Sequence, residues 1–319
     1  MFIENAVVDS FASNFLQLAY DVWNAMLDAC YKTLRVNPLN WGSESGSSLL
    51  SQVTTNKIEA VIAAVATGLL ILVFVVGVLR EGGHIISEKS QPYGVISLMI
   101  RFFVCAALIG GYMKIASTIF DIFTAAIKGI GIGNTNGFGL TDPNKPVGTY
   151  GIKDGILNFI GSLFSPITGG TQLVSTMMKS GFLNLVGLIY MLIVIACAFV
   201  VFFKVYGRYF KIIVAIALAP IGLALYGSPM TEQQAKKFVF YLVKLGAEGL
   251  IMYLVLILYD RFIPIADRLV PGLFKDIASH VGNDKEFQAY LAYMVTQIFF
   301  CILLVSLISA SEKIAEELL

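Results

Sequence analysis

Repeated apolar runs of bilayer length restrict this chain more than any other feature of its sequence. A hydrocarbon core about 30 Å thick needs roughly 20 apolar residues of helix at 1.5 Å per residue. Ile58 to Leu79, Phe182 to Phe203, Phe238 to Tyr259 and Tyr290 to Ile308 each meet that requirement. Tyr93 to Phe120 meets it too, provided that Arg101 and Lys114 are housed. Composition agrees: 57% of the residues are hydrophobic and 13% charged, where soluble domains carry roughly 25% charged. The expected fold is an all-α integral membrane protein with five or six transmembrane helices.

The doubt over the sixth lies in GRYFKIIVAIALAPIGLALYG, Gly207 to Gly227, where Pro220 interrupts the apolar run. Proline removes a backbone donor and clashes with the preceding turn, yet membrane helices tolerate it where neighbours satisfy the freed carbonyl. Ala215 and Ala219 offer such neighbours a close-packing face. Tyr209 to Tyr226 amounts to about 27 Å of helix, just enough to cross, and tyrosines mark both ends of a true span. If the segment dips and returns instead, Lys236 and Lys237 join the cations preceding it, which the positive-inside rule favours. Both topologies stay open at this point.

Four regions follow from these runs. Residues 1–56 open with a helical periodicity from Phe2 to Leu34, in which Ile3, Val7, Phe11, Phe15, Leu18, Val22 and Met26 make an apolar stripe. Asp9, Asn14, Asp21 and Asp28 lie off the stripe. The helix is too polar to span, and its start lacks the basic and apolar regions of a cleaved signal peptide. It is expected to lie outside, on the membrane surface, on its own bundle or between subunits. Residues 57–120 hold spans one and two, and 182–319 a membrane bundle. Between them, 121–181 read as an extracytoplasmic loop, rich in Gly, Asn and Pro, with short apolar helices over Ile156 to Ser180. The short cationic connection from Arg80 to Lys89 sets the orientation, with that side cytoplasmic and the amino terminus outside.

Little in the chain suggests catalysis. No phosphate-binding GxxxxGK[ST] loop and no HExxH occurs, and the glycines of GIGIGNTNGFG lack dinucleotide spacing. His84 and Glu88 share a short loop and read as a solvated pair. The four cysteines form no CxxC pair, which leaves no thiolate metal site. A net charge of +1 gives no global attraction for nucleic acid. The chain is expected to be non-enzymatic and to hold no cofactor.

Charges beside and within the spans are the remaining signal, since ionisable groups at membrane depth are costly and suggest function. Lys204, Arg208 and Lys211 follow span three and read as a cytoplasmic anchor. Arg101 and Lys114 bracket FFVCAALIGGYM and can snorkel to opposite interfaces. Lys244 and Glu248 sit four apart in mid-span, share a face and can pair. They suit either a helix contact or a wet pathway. Gly246 and Gly249 flank that face and would admit a neighbouring backbone.

The order of these features resembles the TrbL family, the polytopic inner-membrane channel subunits of type IV secretion and conjugation systems. The residues that carry the resemblance are Arg208 and Lys211, then Ala219 and Pro220, then Thr231 with Phe238 and Tyr241. Phe238 and Tyr241 stand where the family often carries a tryptophan. The resemblance implies a homo-oligomeric subunit in a bacterial plasma membrane. Lys244, Glu248, Pro220 and Ala219 are the candidate channel or helix-packing positions. Its partners would be the lipid bilayer, the secretion ATPases and other channel subunits. Protein or relaxase-linked single-stranded DNA would pass in transient contact. A secondary transporter with Pro220 in a discontinuous helix and Lys244 with Glu248 as its coupling site is the alternative, and a structural scaffold is a third.

Overall fold

In a computed structural model of the chain, residues 2–41, 58–87, 93–130, 171–278 and 285–318 are described. They form seven α-helices and no strand: α1 (Phe2–Leu34), α2 (Ile58–Ser87), α3 (Tyr93–Ile130), α4 (Thr171–Ala217), α5 (Ala219–Ala224), α6 (Glu232–Ala278) and α7 (Lys285–Leu318). Turns of 3-10 helix follow α1 at Pro38–Asn40 and α5 at Leu225–Gly227. Five helices are long and apolar enough to cross a membrane, within Ala60–Arg80, Ile96–Ile130, Leu185–Ala217, Glu232–Ile263 and Tyr293–Leu318. The molecule is an all-α polytopic membrane protein.

Several helices outrun their apolar cores. α3 continues past Phe120 to Ile130, and α6 past Tyr259 to Ala278. α4 begins at Thr171, so 171–180, expected as part of a separate short helix, is its first turns. The rest of that expected helical region, 156–170, lies outside the described residues, as do the glycine-rich 131–150 and Glu88. The largest revision concerns the cations after span three. Lys204, Arg208 and Lys211 sit in no turn, because α4 runs unbroken through them to Ala217.

That continuity disposes of the sixth span. The first half of Gly207 to Gly227 is the end of α4, and its second half is the six-residue α5 with one 3-10 turn. Six helical residues rise about 9 Å, far less than a bilayer needs. Pro220 costs little here because it stands in the first turn of α5, where an amide hydrogen would have no intrahelical acceptor. Leu218 makes the joint: its amide still donates to the Val214 carbonyl at 3.0 Å, and its own carbonyl accepts from Ile221 and Gly222 at 3.1 and 3.2 Å.

The chain divides into two compact units, each drawn from three stretches rather than following the linear order of regions. One takes Met1–Tyr31, Ile132–Lys204 and Leu254–Ala310. Within it α1 buries Leu16, Ala19, Trp23, Leu27 and Cys30, while Leu18 is 48% exposed. The buried stripe of α1 is thus displaced from the expected one, although α1 has the expected bounds. Trp23, with the largest side chain on the helix, sets the inward face, and small Ala19 and Cys30 allow close approach beside it. The side chains of Ile3, Val7, Phe11 and Phe15 lie outside the described ones. Burial pushes the Cys30 thiol up to about 12.

The other unit takes Lys32–Gly131, Val205–Tyr253 and Ser311–Leu319. Its core joins Leu39 to Tyr112, Ala116 and Phe120 of α3, Ile212, Ala215 and Ile216 of α4, Ala219 of α5, and Leu242 and Leu245 of α6. A second cluster packs Ala66 and Leu70 of α2 on Cys105 and Ile109 of α3 and Ala224 of α5. The small residues of ALAPIGLA therefore let α5 nest among α2, α3 and α6. The segment after α1 is tied down in the same unit. The Tyr209 hydroxyl donates to the Thr33 carbonyl at 2.5 Å, Asn37 donates to Asp121 at 2.6 Å, and Trp41 packs on the rings of Tyr206 and Tyr209.

Candidate functional site

The second unit gathers charges from α4, α6 and the end of α7 at one place. A helix spaces residues three or four apart along one face, so Arg208 and Lys211 project together from α4, and Lys244 and Glu248 from α6. The last two turns of α7 bring Glu312 and Glu316, again four apart. Lys211 Nζ meets Glu312 Oε1 at 3.0 Å, and Lys244 Nζ meets Glu316 Oε2 at 3.2 Å. Three cations and three carboxylates balance.

Arg208 is only 3% exposed, which revises its reading as a water-facing anchor. Its Nε donates to the Leu245 carbonyl at 2.8 Å, and its guanidinium lies 5.7 Å from the Tyr209 ring centroid. A backbone carbonyl is a suitable acceptor here, because its second lone pair is free while the first serves the helix. Gly249 makes the approach possible: a Cβ there would lie 2.1–2.3 Å from Arg208 Cζ and its two terminal nitrogens. Gly246 does the same for Phe123, whose ring carbons would come within 2.3–2.5 Å of an added Cβ. Both glycines admit side chains, rather than the neighbouring backbone that their spacing suggested.

The expected Lys244–Glu248 pair is not formed, since Lys244 turns to Glu316 on the neighbouring helix. Glu248 is 3% exposed, and among the described residues no cation lies within ion-pair distance of it. Arg208, Lys211 and Lys244 face it at longer range, as does the like charge of Glu312. Lys204 is exposed on α4 and joins none of these contacts.

A second charged group caps the opposite end of the α6 segment in this unit. Arg101 of α3 bridges to Glu232 at 2.6 Å, and Glu232 also holds Lys236 at 2.6 Å. Arg101 lies 6.0 Å from the Tyr226 ring centroid. Its head is thus held by protein partners, while Lys114, the other cation expected to snorkel, is exposed and shows no such ion pair among the described residues. Glu232 stands in the first turn of α6, where a carboxylate complements the helix dipole. Thr231 opens that helix: its hydroxyl donates to the Leu225 carbonyl, and its own carbonyl accepts from Gln234 and Ala235 at 3.0 and 3.2 Å. Ala219 and Pro220 are buried in α5, between Lys211 of α4 and Glu232 of α6 in sequence.

Sequence reasoning missed Glu312, Glu316 and Glu232 as partners. The first two carried a signal, because two carboxylates four apart directly after an apolar run are placed to face cations. Among the described residues no three His, Cys, Asp or Glu side chains come together as metal ligands would. No protein-family model, no curated protein and no solved structure matches this chain.

Proposed function

We propose that this chain is a TrbL-like channel subunit of a bacterial type IV secretion or conjugation machine. It works without catalysis, as a homo-oligomer in the plasma membrane beside the secretion ATPases and other channel subunits. Its task is to help protein or relaxase-linked single-stranded DNA across. The observation that carries the reading is the buried helix break at Leu218–Gly227, between two helices long enough to span. Broken backbone at membrane depth is tolerated only inside protein or beside a wet cavity. A nested α5 therefore suits a segment that shapes a passage or gate. The motif order around it, from Arg208 and Lys211 through Ala219 and Pro220 to Thr231, resembles that of the family and supports the reading.

Deletion of the gene from a donor strain tests this. Transfer of DNA or protein should be abolished and restored by the intact chain, with no change in nutrient uptake. Transfer that survives the deletion contradicts the reading. One observation favours a secondary transporter instead: Glu248 is a buried mid-span carboxylate with no cation at ion-pair distance among the described residues. Substrate uptake by vesicles holding this chain alone would establish that function.

A further inference from the structure

We propose that the last two turns of α7 form a releasable strap, in which Glu316 and Glu248 compete for Lys244. The strap is Ser311–Leu318, packed in the second unit through Ser311 and Ala315, both fully buried. Its electrostatic hold is weak by construction. The side chains of Lys211 and Glu312 are 44% and 47% exposed, and that of Glu316 is 70% exposed. Pairs so open to solvent contribute about 0–1 kcal/mol each and are screened by salt.

The carboxylate left behind is the opposite case. Glu248 is 3% exposed and has no cation at ion-pair distance among the described residues. A buried charge without a partner is strongly disfavoured. Lys244 lies one helical turn before it on the same face, the spacing at which a cation and a carboxylate on one helix meet. Lys244 therefore has two alternative partners, an exposed one on the strap and a buried one on its own helix. Choosing Glu248 relieves the buried charge and lets the strap go, whereas choosing Glu316 holds the strap down. Arg208 stays with the Leu245 carbonyl in either state, because its Nε bond and the Gly249 notch do not involve the strap.

Amide hydrogen exchange over 311–318, on the full chain in lipid nanodiscs, reads the strap directly. Lys211→Glu or Glu312→Lys alone should speed exchange about fivefold, and the double exchange of charges should return it close to the wild-type rate. Raising salt should speed exchange in the unaltered chain. Glu248→Gln separates competition from mere packing: removing the rival carboxylate should slow exchange about twofold. Exchange that is unchanged or faster in Glu248→Gln overturns the competition. A double charge exchange that fails to restore protection overturns the strap.

Discussion

A buried arginine against a helix backbone needs a place without a side chain, and Gly249 supplies it. The atoms that a Cβ would strike belong to a flexible side chain, but this guanidinium is enclosed and bonded to the Leu245 carbonyl. Gly249→Ala should therefore cost about 1–3 kcal/mol, as overpacking of a filled site does. In an Arg208→Ala background the same change should cost far less, because contacting residues are not additive. Thermal denaturation in detergent, followed by size-exclusion recovery, measures both. Cys30 gives a second residue-scale outcome. With its thiol raised from 9.0 to about 12, the thiolate fraction at neutral pH falls about a thousandfold. Maleimide should leave Cys30 unmodified in the native chain and label it after unfolding. The unfolded thiol ionises first, so Cys30 stabilises the fold below pH 9.0, and that contribution is lost as pH rises towards about 12. The sequence showed Lys244 and Glu248 to be unusual, but could not show which partner each would take. Pairing within a helix and pairing across helices satisfy the same spacing, and only tertiary packing places Glu316 within reach.

At the scale of elements, the apolar runs marked all five helices long and apolar enough to cross a membrane, because a bilayer-length stretch leaves few other structures. Their ends were less legible. Lys204, Arg208 and Lys211 read as an anchor beyond the end of span three, yet nothing in that stretch breaks the helix until Leu218. Charge alone does not end a helix when partners such as the Leu245 carbonyl and Glu312 receive it. Gly207 tests the point. It lies inside continuous α4, and a Cβ there would meet nothing within 4 Å. Gly207→Ala should raise stability by about 0.5–1 kcal/mol, the helical advantage of alanine over glycine. No gain, or a loss, in the same thermal assay would mean that the backbone turns there. The α1 stripe teaches a related lesson. Periodicity located the helix, but the spacing followed through Phe15, Leu18 and Val22 chose a face that includes exposed Leu18, while Trp23 with small Ala19 and Cys30 made the buried one.

For the whole molecule, the number of crossings follows from α5. If it is a six-residue helix nested in protein, α4 and α6 are consecutive spans and the stretch between them stays on one side. Arg80, at the end of the first span, and Met230, 63% exposed before α6, then face the same compartment. Six spans would put them on opposite sides. Single-cysteine variants at Arg80 and Met230, probed with a membrane-impermeant maleimide on intact cells and on inverted vesicles, decide between the two. Labelling of both from the same face is the outcome predicted here, and labelling from opposite faces would contradict it.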